Sequence, residues 1–277
     1  MSRAGVGDEV GEKPALFVSA EMDDVEVWAV GGGTAVVFST SAPDRNQNQD
    51  AAAVVRVDDD TALLAVADGV GGERGGARAS ELAVATLAAA VTQRSPETSL
   101  RTAVLDGFEA ANRAVQEGAA SGMTTLAVLT VEGRSVRPYH VGDSAVLLFG
   151  RRGRLKLQTV SHSPVGFALE AGVLDEKEAM QHADRHVVSN VLGSPEMRIE
   201  VGAARRLAQQ DTVVVASDGL FDNLHTDEIV ELARTGKPAA AARRLVEAAR
   251  GRMEMQELER PSKPDDLTLI LFRATVA

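Results

Sequence analysis

Four short acidic segments hold the residues best suited to chemistry in this 277-residue chain: DRNQNQD at 44–50, DGVGG at 68–72, SDG at 217–219 and DDLT at 265–268. They are spread over more than two hundred residues, and the last three each end or open an apolar run. Carboxylates at strand ends lie where distant parts of a chain can meet. Hard oxygen donors without thiols suit Mg2+ or Mn2+, so the chain reads as one built around a carboxylate-held metal centre.

Each segment has a plainer reading when taken alone. TALLAVADGVGG at 61–72 is a strand, an Asp-Gly turn and the start of a helix, and Asp-Gly is common turn punctuation. A dinucleotide fingerprint counted from Gly69 needs Gly where Arg74 stands, and no Gly-Lys-Ser/Thr of a phosphate loop is present. VVVASDGLFD at 213–222 repeats the design, with Asp222 four residues beyond Asp218. Asp265 and Asp266 open a strand-like run, and unpaired carboxylates beside a core cost roughly several kcal/mol each. A metal or an Arg must answer them. Asp143 follows a strand in HVGDSAVLLF, where Gly-Asp-Ser by itself suits a hairpin turn. Arg45 offers a planar fork of donors for a phosphate, in a loop that otherwise passes as solvated. Asp58, Asp59 and Asp60 read as a solvated turn, because the Gly and distal Glu of a calcium loop are missing.

The elements that must position these residues follow from periodicity. Strands are expected at 15–20, 25–30, 34–39, 51–57 and 61–67, then helices at 77–91 and 99–118. Four short strands at 123–131, 135–141, 145–149 and 155–159 read as an antiparallel meander. Residues 162–196 are less regular, with a helix signal at 175–181. A buried strand at 211–216, helices at 226–234 and 238–255, a charged loop at 256–264 and a closing strand at 267–272 follow. The helix at 226 opens Thr-Asp-Glu-Ile, its acid one step out of a strict capping box. With no repeat or interdomain linker, the expectation is a single layered α+β domain over 15–277.

Composition narrows the function classes. Hydrophobic residues make up 44% and aromatics 3%, so the core must be aliphatic. A net charge of −11 lacks the basic footprint of a nucleic-acid binder. The absence of Cys excludes disulfides, thiolate zinc sites and cysteine nucleophiles. No run approaches the ~18 apolar residues of a membrane span. Residues 1–14 are polar and Gly-rich with no signal core, and are expected to be a disordered tail. A soluble, cytoplasmic protein without membrane or nucleic-acid partners is expected. High Ala, Gly and Arg content suggests a GC-rich bacterial genome.

Taken together and in order, the segments resemble the metal-dependent serine/threonine protein phosphatases of type 2C. Arg45 through Asp50 is similar to that family's Arg-x-x-x-Glu-Asp, and DGVGG to its Asp-Gly-(Met/His)-Gly-Gly segment. GMTT at 122–125, VGDS at 141–144, His162-Ser163, SDGLFD and DDLT follow in the family's order, from about Val36 to Phe272. The resemblance implies a four-layer αββα sandwich of two antiparallel sheets with helix pairs outside.

It also implies roles. Asp68 bridges two Mg2+ or Mn2+ ions, Asp218 and Asp265 complete one ion's shell, and the Gly69 carbonyl serves the other, supported by Asp50. Asp143 and Asp222, sharing Asp218, match a weaker third ion site. Arg45 binds the phosphoryl oxygens while a water activated by the ions attacks phosphoserine or phosphothreonine in line. Residues 162–196 correspond to the flap, where Arg185 and His186 read as solvated residues, with contact to phosphoprotein substrates as their alternative role, and the implied partners include a cognate Ser/Thr kinase. His162 reads as a structural histidine, with proton donor to the leaving group as its alternative role. Departures are Gln49 for the usual Glu, Ala145 for Arg, Ser161 for Asp, and Val70 where animal members carry His. They motivate an alternative of another class, a phosphatase-like pseudoenzyme that binds partners.

Overall fold

The computed structural model describes residues 13–70, 73–119, 122–255 and 260–275. Residues 1–12 of the expected tail, Gly71 and Gly72 of DGVGG, and 256–259 of the expected loop lie outside the described residues.

The long apolar runs fold as strands covered on both faces. In Leu267–Ala274, Leu267, Leu269 and Leu271 face a helix layer, while Ile270 and Phe272 face the opposing sheet. Thr61–Ala67 does the same: Leu63, Ala65 and Ala67 lie against helices, and Ala62, Leu64 and Val66 against the other sheet. Side chains alternate along a strand, so burial of both faces turns the usual polar/apolar alternation into a continuous hydrophobic run.

The result is the expected αββα sandwich. One antiparallel sheet runs in the order Ala15–Val18, Ala51–Arg56, Thr61–Ala67, Leu126–Glu132, Ser135–Val141, with the short Glu200–Val201 and Arg205–Arg206 both on the last of these. The other runs Leu155–Gln158, Ala145–Phe149, Thr212–Ala216, Leu267–Ala274, Gly33–Thr40, Glu26–Val30. Helices Glu73–Thr92 and Leu100–Gly118 cover the first sheet, and Thr226–Ala233 and Pro238–Met255 the second. The core is aliphatic as composition requires, but the few aromatics are concentrated in it: Phe38, Phe108, Tyr139, Phe149 and Phe272 are almost wholly inaccessible.

The four-strand meander is a correction. Leu126–Glu132 pairs with Ser135–Val141 in the first sheet, and Ala145–Phe149 pairs with Leu155–Gln158 in the second. The chain changes sheets between Val141 and Ala145, at Gly142, whose φ of +102° lies in a region that disfavours side-chained residues. Two hairpins on different sheets have the same local pattern as one meander. The expected strand at 123–131 divides at Thr125, since Met123–Thr124 pairs instead with Gly69–Val70. The helix at 226 starts on a better cap than its sequence suggested. His225 is the N-cap, and its backbone N–H donates to Glu228 Oε2 at 3.0 Å, which sets the acid at the proper step.

Phe272→Ala empties a fully buried site between the sheets and is expected to cost about 3–5 kcal/mol in urea unfolding. Val27→Ala, on an exposed edge-strand position, should stay within about 0.5 kcal/mol of wild type.

Candidate metal centre

Strand register gathers the acids at one edge of the sandwich. Asp50 immediately precedes Ala51–Arg56 and Asp68 immediately follows Thr61–Ala67, and Ala51 lies opposite Ala67. In the second sheet Ala145 lies opposite Ala216, and Ala216 opposite Leu269. That aligns Asp143, Asp218 and the Asp265-Asp266 pair on neighbouring chain turns. Ser217 joins the two sheets there: its hydroxyl donates to Asp50 Oδ2 at 2.7 Å and accepts the Thr268 N–H at 3.1 Å. Gly219 is required by the close approach of these segments, because a Cβ there would lie 2.0 Å from the Asp266 carbonyl oxygen.

The two acids of DDLT do different work. Asp266 accepts the backbone N–H groups of Ala42 and Gln49, each at 2.8 Å, and so pins the 42–49 loop to the start of the last strand. It is satisfied without a metal. Gln49 is itself buried and accepts the Ser80 hydroxyl on its carbonyl at 2.5 Å. Its backbone therefore holds the loop, whatever charge its side chain lacks. Asp265 instead faces cations: Arg45 Nη1 lies 2.9 Å from its Oδ1 and Lys263 Nζ 3.1 Å from its Oδ2. Arg45 also reaches Asp266 at 3.4 Å. Lys263 further contacts Asp218 Oδ2 at 2.5 Å and Asp222 Oδ2 at 2.8 Å. Lys263 and Ser217 are site residues to which the sequence analysis gave no role, and Asp266 was singled out there only as half of an acid doublet. Lys263 was visible only as a base two positions from the acid doublet.

Charge is crowded nonetheless. Among the described residues, the buried oxygens Asp50 Oδ1, Asp143 Oδ1 and Asp218 Oδ1 have no hydrogen-bond partner. Burial, then the neighbouring Asp50, Asp218, Asp265 and Asp143 charges, push the Asp68 carboxyl well above its ordinary range. Burial and Asp266 do the same to Asp50. Asp143 is raised to about 8 by burial and the Asp218 charge. Asp222 and Asp265 are each raised to about 6, again by burial and then Asp218. Asp218 runs the other way: burial opposes its ionisation, but the Lys263 charge and hydrogen bond outweigh it. Unpaired inner oxygens, like charges packed together and an all-oxygen donor set are what a hard divalent cation satisfies, so the residues present fit such an ion. The Gly69 backbone sits beside them, so tightly packed that a Cβ would lie 2.3 Å from the Gly76 carbonyl.

A second group of ligand-type side chains, His140, His162 and Glu200, has candidate atoms within 4.8 Å of one another. Hydrogen bonds already account for both ring nitrogens of His162 and for Nε2 of His140. Gly142 N–H and Asn190 Nδ2 approach His162 Nδ1 at 3.1 and 2.9 Å, Glu200 lies 3.1 Å from Nε2, and His140 Nε2 is 2.8 Å from the Val160 carbonyl. The rings stack at 4.4 Å. His162 also accepts the Ser189 N–H and hydroxyl on its carbonyl, both at 2.8 Å. This cluster is a structural clasp at the base of residues 162–189.

Beside Asp143, Asp218 and Asp222 opens a cavity of about 750 Å³. Helices Pro164–Glu170 and Glu176–Gln181 form one wall, through Val165, Leu169 and Met180, and Leu155, Phe221 and Val230 line it as well. Glu170, Glu176, Asp227 and Glu231 also border it, with Arg185 as its basic group. Arg185 Nη1 is held on the Met180 carbonyl at 2.5 Å, and His186 is exposed.

The raised carboxyls fix the direction of a pH effect. Between about pH 4 and 8 the folded, metal-free protein holds protons that the unfolded chain releases, so its stability falls as pH rises through that window. Ion binding needs the carboxylates ionised. Thermal melts in EDTA should therefore give a lower Tm at pH 8 than at pH 6, and the Tm increase on adding Mn2+ should be larger at pH 8.

Comparison with known proteins agrees with this geometry. The sequence profile described as Protein phosphatase 2C matches residues 41–259. The chain is similar to Protein phosphatase PhpP of Streptococcus pneumoniae, 32% identical over 187 residues that cover 64% of this chain and 75% of that protein. It matches the serine/threonine protein phosphatase PstP of Mycobacterium tuberculosis at 29% identity over 76% of this chain, spanning 40% of the length of PstP. The crystal structure of the PPM Ser-Thr phosphatase MsPP from Mycobacterium smegmatis, in complex with cacodylate, superposes with a TM-score of 0.71 at 27% identity, covering 87% of this chain and 98% of that one. The catalytic domain of PstP in complex with two manganese ions superposes at 0.66 and 26% identity, covering 86% and 96%. With the matched profile spanning most of its length, the chain belongs to the protein phosphatase 2C family.

Proposed function

We propose that the protein hydrolyses phosphoserine and phosphothreonine in phosphoprotein substrates with the help of divalent metal ions. The observation that carries this reading is the convergence of Asp50, Asp68, Asp143, Asp218 and Asp265 at one edge, three of them with a buried oxygen that has no hydrogen-bond partner among the described residues. Asp68, Asp218 and Asp265, with Asp50 and the Gly69 carbonyl, would hold two ions, Mn2+ or Mg2+, and the two manganese ions of the related PstP domain support that number and metal. Such ions supply a hydroxide-level nucleophile near neutral pH and positive charge beside the phosphoryl oxygens.

The chain's own groups do the rest. Arg45 is anchored through Nη1 on Asp265 and Asp266 while its side chain remains 38% exposed. It presents the remaining donors of its guanidinium to phosphoryl oxygens, where they offset the charge that develops in transfer. Ser217 orients Asp50, and Thr125 orients Asp68 by accepting its N–H at 2.9 Å. No cysteine nucleophile is present, and none is needed when water attacks directly. The competing reading, a silent binding module, rests on Gln49, Ala145 and Ser161. Gln49 and Ser161 stand where the family has acids, but Asp50, Asp68, Asp218 and Asp265 all remain, and Ser161 bonds the hydroxyl of Ser163, the cap of the next helix.

Residues 15–277 act in this reading as one catalytic domain with 162–196 as its flap. The cavity under the flap receives residues flanking the phosphorylated one. Its apolar walls and acidic border favour peptides that carry apolar and basic neighbours. Among the described residues no helix is long and apolar enough to cross a membrane. A cytoplasmic signalling role opposite a cognate Ser/Thr kinase fits this reading.

Hydrolysis of p-nitrophenyl phosphate and of phosphopeptides should require Mn2+ or Mg2+. Asp218→Asn should lose more than the roughly 10–100-fold typical of an outer-shell partner; equal rates for the two proteins would refute the reading. Ser217→Ala, which removes the hydroxyl that orients Asp50 and accepts the Thr268 N–H, should weaken Mn2+ binding by roughly 10–100-fold in calorimetry. Among phosphopeptides, a basic flank should give a higher kcat/KM than an acidic one, and Glu170→Lys should narrow that ratio without changing p-nitrophenyl phosphate turnover.

A further inference from the structure

Lys263 places an ammonium where the centre's resemblance would put part of a third ion site. Its Nζ contacts Asp218 Oδ2, Asp222 Oδ2 and Asp265 Oδ2 at 2.5, 2.8 and 3.1 Å. These oxygens differ from the unpartnered ones, since Asp218 Oδ1, Asp143 Oδ1 and Asp50 Oδ1 are left open. The lysine therefore occupies one side of the carboxylate cluster and leaves the other side available.

The position of the ammonium is built in through the backbone. Lys263 N–H donates to Asn223 Oδ1 and its carbonyl accepts Asn223 Nδ2, both at 2.9 Å. Asn223 is fully buried and also donates to the Gly219 carbonyl at 2.9 Å. The stem of Lys263 is thus locked to the same short helix and turn that carry Asp218 and Asp222. Pro264 follows and restricts the backbone further. A long, flexible side chain is normally costly to order, but here its root is fixed and two charge-assisted hydrogen bonds and one further ion pair hold its tip.

We propose that Lys263 is a resident counter-ion that takes the place of a third divalent ion, so that this centre holds two. The inference rests on the metal reading above. A divalent ion on Asp218 and Asp222 would sit against the ammonium, and the like charges repel. Asp222 is then the partner of Lys263 and not an ion ligand in the wild-type protein. Substrate hydrolysis would depend on two binding events, with the outer charge compensated by the chain itself at any metal concentration.

Calorimetry with MnCl2 on the full chain, with bound manganese counted by native mass spectrometry, tests this. Wild type should take up two ions, and so should Asp222→Asn, with affinities like those of wild type. Lys263→Met should take up three, the third at least about tenfold tighter than any third event in wild type, as expected when one unit charge leaves the site. The double variant Lys263→Met/Asp222→Asn should return to two. Three ions in wild type, loss of an ion in Asp222→Asn, or two ions in Lys263→Met would each overturn the proposal. The wild-type and Asp222→Asn arms decide it even if Lys263→Met fails to fold. No manganese in any of these proteins would refute the metal centre itself, and the proposal with it, a result distinct from two ions throughout.

Discussion

Mutual repulsion among the aspartates at one edge of the sandwich is the constraint around which the molecule is arranged. Each acid sits at the end of a strand whose both faces are buried, so none can turn away without disturbing a core. The protein answers the repulsion in three ways. It accepts backbone N–H groups on Asp266, it brings Arg45 and Lys263 against Asp265 and Asp218, and it leaves inner oxygens of Asp50, Asp143 and Asp218 without a partner among the described residues, open to the proposed ions. The first two hold the metal-free fold together; the third is the opening for function.

The sandwich supplies the rigidity this arrangement needs. Three stacked cores, helix on sheet, sheet on sheet and sheet on helix, fix the registers that set Asp50 beside Asp68 and align Ser217 with Thr268. Ser217 then couples the two sheets at the acidic edge. A carboxylate centre in this position borrows its precision from strand pairing, while one wall of the adjoining cavity is built from the short helices Pro164–Glu170 and Glu176–Gln181.

Much of this was legible because long apolar runs and Asp-Gly turns are local signals. The strand at 61–67 and the helix at 238–255 coincide with the observed elements, and Asp68, Asp218 and Asp265 do meet at one edge. The meander was misread because a hairpin looks the same whichever sheet it joins. Asp266 was visible as half of an acid doublet, but its role as a loop anchor depends on the N–H groups of residues 42 and 49, more than two hundred positions earlier.

By itself the sequence determined which residue types were available: oxygen donors without thiols, an aliphatic core, and acids placed where strands begin and end. Those follow from composition and period, which are properties of neighbouring residues. Only the tertiary structure decided which oxygens remain unpaired and which cation faces which acid. Lys263 shows why. Nothing near it in sequence says that Asn223 will grip its backbone or that its ammonium will lie among Asp218, Asp222 and Asp265. Electrostatic pairing is set by distances of a few ångströms in space, and strand register, not sequence separation, sets those distances.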